Sequence, residues 1–269
     1  MGPDKIYSLP AFFKLSSSHR IFSALPTCSC HPTNSSAVID TIFASCKKLA
    51  DQVCTQVAAH KPFLVLGGDH SCAIGTWSGV RQALRPQEKL GLIWVDAHMD
   101  SHTPDTSPSG MIHGMPVAAL LGHGDNRLTH LHGYSGKLDV GHLCLVGVRS
   151  FEEGEARLLQ RLGVKIFFMH EVQARGLAVV MAEALRIAQG ASGGFGISID
   201  MDAFDPNEVV AVGSPVRQGI NVLSFIKIVT GLHQQTGFLG AEIAEYNPEL
   251  DIDDQSAKLL CRLIDAIFG

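Results

Sequence analysis

Short, continuous apolar runs alternate with segments of helical periodicity along most of this chain. The apolar runs predict strands at 63–66, 91–95, 143–148, 164–169, 195–199 and 238–243. Apolar residues at helical spacing predict helices at 37–60, 73–84, 152–161, 177–189, 223–235 and 254–268, and a further helix that begins near Pro116. Because such strands, separated by helices, are typical of a parallel sheet covered on both faces, we predict a three-layer α/β/α fold with a mainly parallel sheet.

The length of the chain, 269 residues, suits one α/β domain, and no linker interrupts the series after residue 60. We therefore predict a single domain over residues 1–269. Residues 1–35 are rich in Ser, Pro, Thr and Cys and show no sustained period, so we expect this stretch to be irregular. In open parallel sheets, ligands bind beyond the carboxyl ends of the strands, and functional residues are expected there.

Charge and composition narrow the functional classes. The formal net charge of −5 gives no basic surface for nucleic acid or for a membrane. No secretory signal pattern and no apolar run of membrane-spanning length is present, and seven scattered cysteines do not resemble a disulfide framework, so we expect a soluble cytoplasmic protein. The stretch Cys28-Ser-Cys30-His31 has no second pair at zinc-finger spacing and only weakly indicates a metal.

The predicted strand at 91–95 leads into Asp96, His98 and Asp100. Alternation along an extended chain places these three side chains on one face. Two carboxylates and an imidazole are costly to bury together unless a cation lies between them. The sequence therefore predicts a divalent metal ion at this strand end, although a single Asp in such a position is often only a turn residue.

Two other strand ends carry the same residue types. His70 follows the first strand, and Asp200 and Asp202 follow the fifth, whereas Asp205 before Pro206 is better explained as a turn residue. Together the three ends supply four carboxylates and two imidazoles, a set that suits manganese or a similar divalent ion. The negative charge of four carboxylates favours two metal ions over one. Because paired ions activate water for attack, the site predicts a hydrolase.

These motifs resemble a known family. Gly67-Gly-Asp-His-Ser71, Asp96-Ala-His-Met-Asp100 and Ser198-Ile-Asp-Met-Asp-Ala-Phe-Asp-Pro206, in this order, are similar to the three signatures of the ureohydrolases, which include arginases and agmatinases. The resemblance covers about residues 62–269 and is strongest to arginases of the bacterial type. It implies two Mn²⁺ per chain, the first held by His70, Asp96, Asp100 and Asp200, and the second by His98 and Asp202 with Asp96 and Asp200 as bridges.

The resemblance also implies catalytic residues. His113 matches the loop histidine that shuttles a proton in the family, and a histidine pKa near neutrality suits that task. Glu245 matches the carboxylate that pairs with the guanidinium group, a charge-assisted contact. Asp100 would hydrogen-bond the attacking nucleophile.

The loop after the second strand indicates the substrate. Its spacing resembles that of arginases, in which Ser107 and Ser109 would receive an α-carboxylate and Glu152 would lie near the α-amino group. This favours hydrolysis of L-arginine to L-ornithine and urea. His102, also a candidate substrate-binding residue, and Met111 stand where arginases commonly have Asn, and Glu152 is one methylene longer than the usual Asp, which changes its reach.

Other interpretations stay open. The chain could be an agmatinase, a guanidinobutyrase or another hydrolase of guanidino compounds, or a metal-binding paralogue with weak catalysis. The family's opening strand and substrate-lining loop are not recognisable in residues 1–35. Family members usually form trimers or hexamers, so the resemblance implies a homo-oligomer. No phosphate-binding loop occurs at 133–137 and no Gly-x-Ser-x-Gly motif is present, which disfavours nucleotide chemistry and serine hydrolysis.

Overall fold

Six strands form one parallel sheet in a computed structural model of the chain, which describes residues 35–133 and 135–269. The strands are β1 (Phe63–Leu66), β2 (Gly91–Val95), β3 (Leu143–Val148), β4 (Lys165–Phe168), β5 (Phe195–Asp200) and β6 (Phe238–Ala244). Their order in the sheet is β1-β6-β5-β2-β3-β4, and every neighbouring pair is parallel. The predicted parallel sheet is therefore confirmed.

Helices follow or precede each strand in the described part of the chain. They are α1 (Ser36–Ala58), α2 (Cys72–Ala83), α3 (Pro116–Leu120), α4 (Asn126–Thr129), α5 (Glu153–Leu162), α6 (Met169–Arg175), α7 (Leu177–Gln189), α8 (Val222–Val229) and α9 (Gln255–Phe268). Among these helices, none has the length and apolarity needed to span a bilayer.

Alternate residues of the central strand β2 face two separate apolar cores. Ile93 and Val95 belong to a core that also includes residues of α7, α8 and α9. Leu92 and Trp94 belong to a second core with residues of α1, α2, α3 and α5. Both faces of the sheet are therefore covered, which suits its mostly apolar strands, and the three-layer α/β/α prediction is confirmed.

Two predicted elements, the fourth strand and the helix over 223–235, differ in extent. The fourth strand ends at Phe168, and Met169 already begins α6. The helix predicted over 223–235 ends at Val229, because Gly231 adopts a left-handed conformation with φ of 73°, and a short 3-10 helix follows at Leu232–Gln234. The helix at Pro116 is only five residues long. The stretch predicted to be irregular falls, apart from Ser35, outside the described residues, as do Cys28, Cys30 and His31.

The order of the strands determines which chain segments meet. After β2, the chain adds β3 and β4 on one side and then inserts β5 and β6 between β2 and β1. The carboxyl ends of β1, β6, β5, β2 and β3 are therefore adjacent along one edge of the sheet. As a result, the backbone N–H of His70 donates a 2.8 Å hydrogen bond to Oε1 of Glu245, which lies 175 positions further along the chain.

Candidate metal centre

His70, in the turn between β1 and α2, lies at the centre of a group of carboxylates. Its side chain is completely buried, and its Nδ1 atom lies 3.3 Å from Oδ2 of Asp96, 3.0 Å from Oδ2 of Asp100 and 3.1 Å from Oδ2 of Asp200. The ring stacks on Trp94 with centroids 4.2 Å apart. The indole Nε1 of Trp94 also donates to Oδ2 of Asp96 at 2.9 Å, so one aromatic residue positions two predicted ligands.

A second group lies beside the first and shares Asp96 with it. The Nδ1 atom of His98 lies 3.1 Å from Oδ2 of Asp202 and 3.5 Å from Oδ1 of Asp96. Local hydrogen bonds hold the carboxylates, because Asp96 Oδ1 accepts from the backbone of His98 at 2.7 Å and Asp200 Oδ1 accepts from the backbone of Asp202 at 2.7 Å. The structure thus brings all six predicted metal ligands together.

The electrostatics of this cluster show the cost of crowding carboxylates. Burial and the nearby Asp96 carboxylate raise the pKa of Asp100 to about 7, and burial with Asp202 and Asp96 raises the pKa of Asp200 well above its ordinary range. Burial opposes the charged form of His70, but its close contacts with the carboxylates of Asp100, Asp200 and Asp96 raise its pKa strongly. The cluster therefore favours a bound positive charge.

The donor atoms fit divalent ions. His70 Nδ1 and Asp100 Oδ2 are buried 3.0 Å apart, yet neither has a hydrogen-bond partner among the described residues. The other ring nitrogen of His70, Nε2, lies 3.0 Å from Oγ of Ser198. If Nε2 carries the hydrogen, Nδ1 directs a lone pair at three carboxylates, an arrangement that a cation between them stabilises. Imidazole and carboxylate ligands suit a manganese-like ion.

Two of the site carboxylates have left-handed backbone conformations, which are uncommon for residues other than glycine. Asp100 has φ of 50° and Glu245 has φ of 65°. Such conformations cost about 1–2 kcal/mol and cluster at functional sites. Hydrogen bonds of 2.8 Å from the backbone of Val117 to Asp100 and from Glu245 to Gly68 stabilise the two turns. The turn at Glu245 directly follows β6, and the turn at Asp100 lies in the loop after β2.

His113 and Glu245 are in contact with each other. His113 lies in a 3-10 helix, Ile112–Gly114, and its Nδ1 atom is 3.3 Å from Oε1 of Glu245. The His113 side chain is 34% exposed and that of Glu245 is 17% exposed, so the pair is open to a ligand. The hydrogen bond to Glu245 is the main cause that raises the pKa of His113 to about 9.

The predicted substrate-binding residues form a separate set of contacts. His102 Nε2 lies 2.9 Å from Oε2 of Glu152, and its Nδ1 lies 3.2 Å from Oγ1 of Thr106. Ser107 Oγ accepts from the backbone of Gly110 at 2.9 Å, and Ser109 Oγ accepts from the backbone of Met111 at 3.2 Å. The two serines therefore contact their own loop.

His102, Glu152 and Glu155 also lie close enough together to hold a cation. However, Glu155 already accepts from the backbone N–H groups of Glu152, at 2.9 Å, and Ser101, at 3.3 Å. The side chain of Glu152 is 60% exposed. A helix-capping contact and the hydrogen bond between His102 and Glu152 explain this group without a metal.

Arg149 is a structural residue of the site that sequence reasoning missed. Its guanidinium donates to backbone carbonyls of three segments at 2.8–3.4 Å, those of Gly147, Asp202, Ala203, Phe204, Val216 and Arg217. It thereby ties the turn that carries Asp202 to the end of β3. Asp205, interpreted as a turn residue, accepts from the backbone of Asn207 and Gly219 at 3.0 Å, which is consistent with that interpretation.

We expect Arg149→Lys to lower the free energy of unfolding by about 3 kcal/mol, because an ammonium group has three donors and leaves several carbonyls without a partner. Urea denaturation would measure the change. The matched control is Arg157→Lys, since Arg157 pairs with Glu153 on the exposed surface of α5 and should contribute little. Equal stability of the two variants would contradict this role of Arg149.

The site is a buried cluster of carboxylates and imidazoles at the carboxyl edge of a parallel sheet. Such a site defines the class of this protein as a metal-dependent hydrolase. The arginase family model matches residues 1–269. The arginase of Bacillus caldovelox is 42% identical over 223 residues, which cover 83% of this chain and 74% of that protein. This chain belongs to the arginase family.

Solved structures agree with this membership. The native arginase structure from Bacillus caldovelox matches with a TM-score of 0.88 at 36% identity and covers 100% of this chain and 92% of that one. The Entamoeba histolytica arginase, solved in complex with L-ornithine, matches with a TM-score of 0.90 at 26% identity and covers 100% of this chain and 91% of that one.

Proposed function

We propose that this chain hydrolyses the guanidinium group of L-arginine to L-ornithine and urea. One observation carries the proposal: Asp96 joins two groups of metal-ligand type, and the edge of this cluster also holds the partly exposed pair His113 and Glu245. The arginases among its relatives support the choice of substrate.

The expected cofactor is a pair of Mn²⁺ ions. His70, Asp96, Asp100 and Asp200 would hold the first, and His98 and Asp202 the second, with Asp96 and Asp200 shared. When bound, such a pair supplies Lewis-acid activation of water near neutral pH.

Glu245 would bind and orient the guanidinium group. Its Oε1 atom is engaged by the backbone of His70 and by His113, which leaves Oε2 for the substrate. A carboxylate beside a guanidinium forms a strong charge-assisted hydrogen bond. Asp100 would accept a hydrogen bond from the attacking water and so orient it.

His113 would move the proton that the leaving amine needs. Because its contact with Glu245 uses Nδ1, the proton would be delivered from Nε2, which lies 3.3 Å from Sδ of Met111. The raised pKa keeps the ring protonated at neutral pH, so it can act as a general acid.

We expect His113→Ala to lower turnover by about 10²–10⁴-fold, the usual contribution of a general acid or base, with metal content unchanged. Initial rates of urea release and metal counting on the same sample measure both quantities. His170→Ala, which removes an exposed histidine beside Phe168, is the control and should retain activity. Loss of metal in parallel with turnover would contradict the proton-transfer role.

At the other end of the substrate, Ser107 and Ser109 would donate to the α-carboxylate. Their oxygen atoms already accept backbone N–H groups, so their hydroxyl hydrogens remain for a ligand. Glu152 would bind the α-ammonium group, and His102 would lie beside it.

One observation favours the alternative of another guanidino substrate. Glu152 Oε2 is already bonded to His102, and both ring nitrogens of His102 have partners. An α-ammonium group must compete with that contact, whereas 4-guanidinobutyrate has no amino group and does not need it.

A substrate panel tests the proposal. We expect the manganese-loaded protein to release urea from L-arginine in preference to agmatine and 4-guanidinobutyrate. Faster urea release from agmatine or from 4-guanidinobutyrate would mean that this compound, and not L-arginine, is the substrate. Two bound ions with no urea from any of the three would indicate the metal-binding paralogue instead.

We also infer a homo-oligomer in the cytoplasm. This inference rests on the resemblance to the ureohydrolases, since single exposed apolar side chains such as Phe151 and Ile252 are also common on monomers. Light scattering coupled to size exclusion would test the assembly, and we expect a trimer or hexamer.

A further inference from the structure

Glu242 is a buried carboxyl that the proposed chemistry does not use. It lies inside β6, is completely buried and belongs to neither metal-ligand group. Its partner in register on the neighbouring strand β5 is Ser198, which is also completely buried. Because a buried carboxyl is costly unless specific groups interact with it, its neighbours indicate what it does.

Those neighbours connect Glu242 to His70. Glu242 Oε1 lies 3.9 Å from Nε2 of His70 and 3.3 Å from Sγ of Cys72. The hydroxyls of Thr76 and Ser198 also interact with the carboxyl. The second oxygen, Oε2, is buried and has no hydrogen-bond partner in the described part of the chain. This carboxyl therefore retains acceptor capacity beside the Ser198 hydroxyl.

The direction of the hydrogen bonds follows from the ring of His70. Its Nδ1 atom faces three carboxylate oxygens and must present a lone pair when a cation is bound, and in that state Nε2 carries the hydrogen. Nε2 then donates to Oγ of Ser198 at 3.0 Å. The Ser198 hydroxyl accepts this bond and has its own hydrogen left to donate, and Glu242 is the acceptor beside it.

The second imidazole of the centre differs. The side chain of His98 is 26% exposed, and its ion-pair contacts with Asp96 and Asp202 run through Nδ1. A buried hydrogen bond to Ser198, beside the Glu242 carboxyl, thus supports His70, whereas His98 is partly open to solvent. The two metal positions should respond differently when this support is removed.

We propose that Glu242 is a positioning residue: through the hydroxyl of Ser198 it holds His70 in the tautomer and orientation whose Nδ1 atom binds a divalent ion. Partners of this kind orient a ligating imidazole and raise its basicity, and their loss lowers metal affinity by about 10–100-fold. The proposal rests on the proposed function only in requiring a metal ion at His70, whichever substrate is cleaved.

Manganese binding to the metal-free protein tests this role without any turnover. The amplitude of the free Mn²⁺ signal in electron paramagnetic resonance gives the binding isotherm for the wild type, Ser198→Ala, Glu242→Leu and the double variant. We expect each single variant to lower the affinity for one of the two ions by about 10–100-fold and to leave the other nearly unchanged. The double variant should be no weaker than the weaker single variant, because both changes break the same chain.

Cys72→Ala is the matched control, since Cys72 contacts the same oxygen of Glu242 and is not part of the chain to His70. It should bind both ions like the wild type. The melting temperature of each metal-free variant reports folding, and if Glu242→Leu does not fold, Ser198→Ala decides the result alone.

Three outcomes would overturn the proposal: unchanged binding in Ser198→Ala, an equal loss of both ions, or losses that add in the double variant. Failure of the proposed function is distinguishable. Site-selective loss of manganese in a protein that releases no urea from any guanidino compound would refute the activity and leave the role of Glu242 standing.

Discussion

Asp96→Asn is expected to empty both metal positions and to lower the rate of urea release by about a thousandfold or more. This factor corresponds to the several kcal/mol by which metal activation of water lowers the activation barrier. Asp96 belongs to both groups of metal-ligand type, with Oδ2 3.3 Å from Nδ1 of His70 and Oδ1 3.5 Å from Nδ1 of His98. An amide keeps the shape of the side chain but removes the charge that both ions share. Metal counting and initial rates on the same preparation measure the two effects.

Asp205→Asn is the matched control for this prediction. Asp205 lies only a few residues beyond the predicted ligands and binds backbone N–H groups of its own loop. Its replacement should leave two ions per chain. Retention of two ions by Asp96→Asn would contradict the bridging role.

Removal of metal is expected to lower the melting temperature by about 10 °C. An ion at a thousandfold excess over its dissociation constant stabilises the folded state by about 4 kcal/mol, and each kcal/mol shifts the melting temperature of a protein of this size by about 2–4 °C. The physical cause is the buried carboxylate cluster, in which Asp96, Asp100 and Asp200 surround His70. Thermal unfolding followed by circular dichroism, with manganese and then with a chelator, measures the shift.

Asp96→Asn serves as the control for the chelator, since a variant that holds no metal should melt at the same temperature in both conditions. A wild-type shift close to zero would mean that no ion stabilises the cluster. Readdition of manganese should restore the original melting temperature, which separates metal loss from irreversible damage.

Much of the fold was predictable from the sequence because its signals are local. Strands buried on both faces, such as β2 and β5, have continuous apolar runs, and helices such as α7 and α9 repeat their apolar residues at helical spacing. The elements that were missed are short. Asn126–Thr129 has only four residues, too few to display a period, and Met169 follows its strand without a break in hydrophobicity.

The candidate ligands were also predictable, since Asp96, His98 and Asp100 follow a buried strand directly and an extended chain alternates its side chains. Their strained turns were not, because the left-handed conformations of Asp100 and Glu245 depend on hydrogen bonds to Val117 and Gly68. These contacts require other segments to be in place first.

The sequence by itself determined the order of strands and helices, the strand ends that carry carboxylates and imidazoles, and the family. Only the tertiary structure decided which distant groups complete the centre. Arg149 binds carbonyls up to 68 positions away, and Ser198 reaches His70 across 128 positions. The physical reason is that periodicity encodes which face of an element is buried, whereas a hydrogen bond between segments depends on the order of strands in the sheet, which no local pattern specifies.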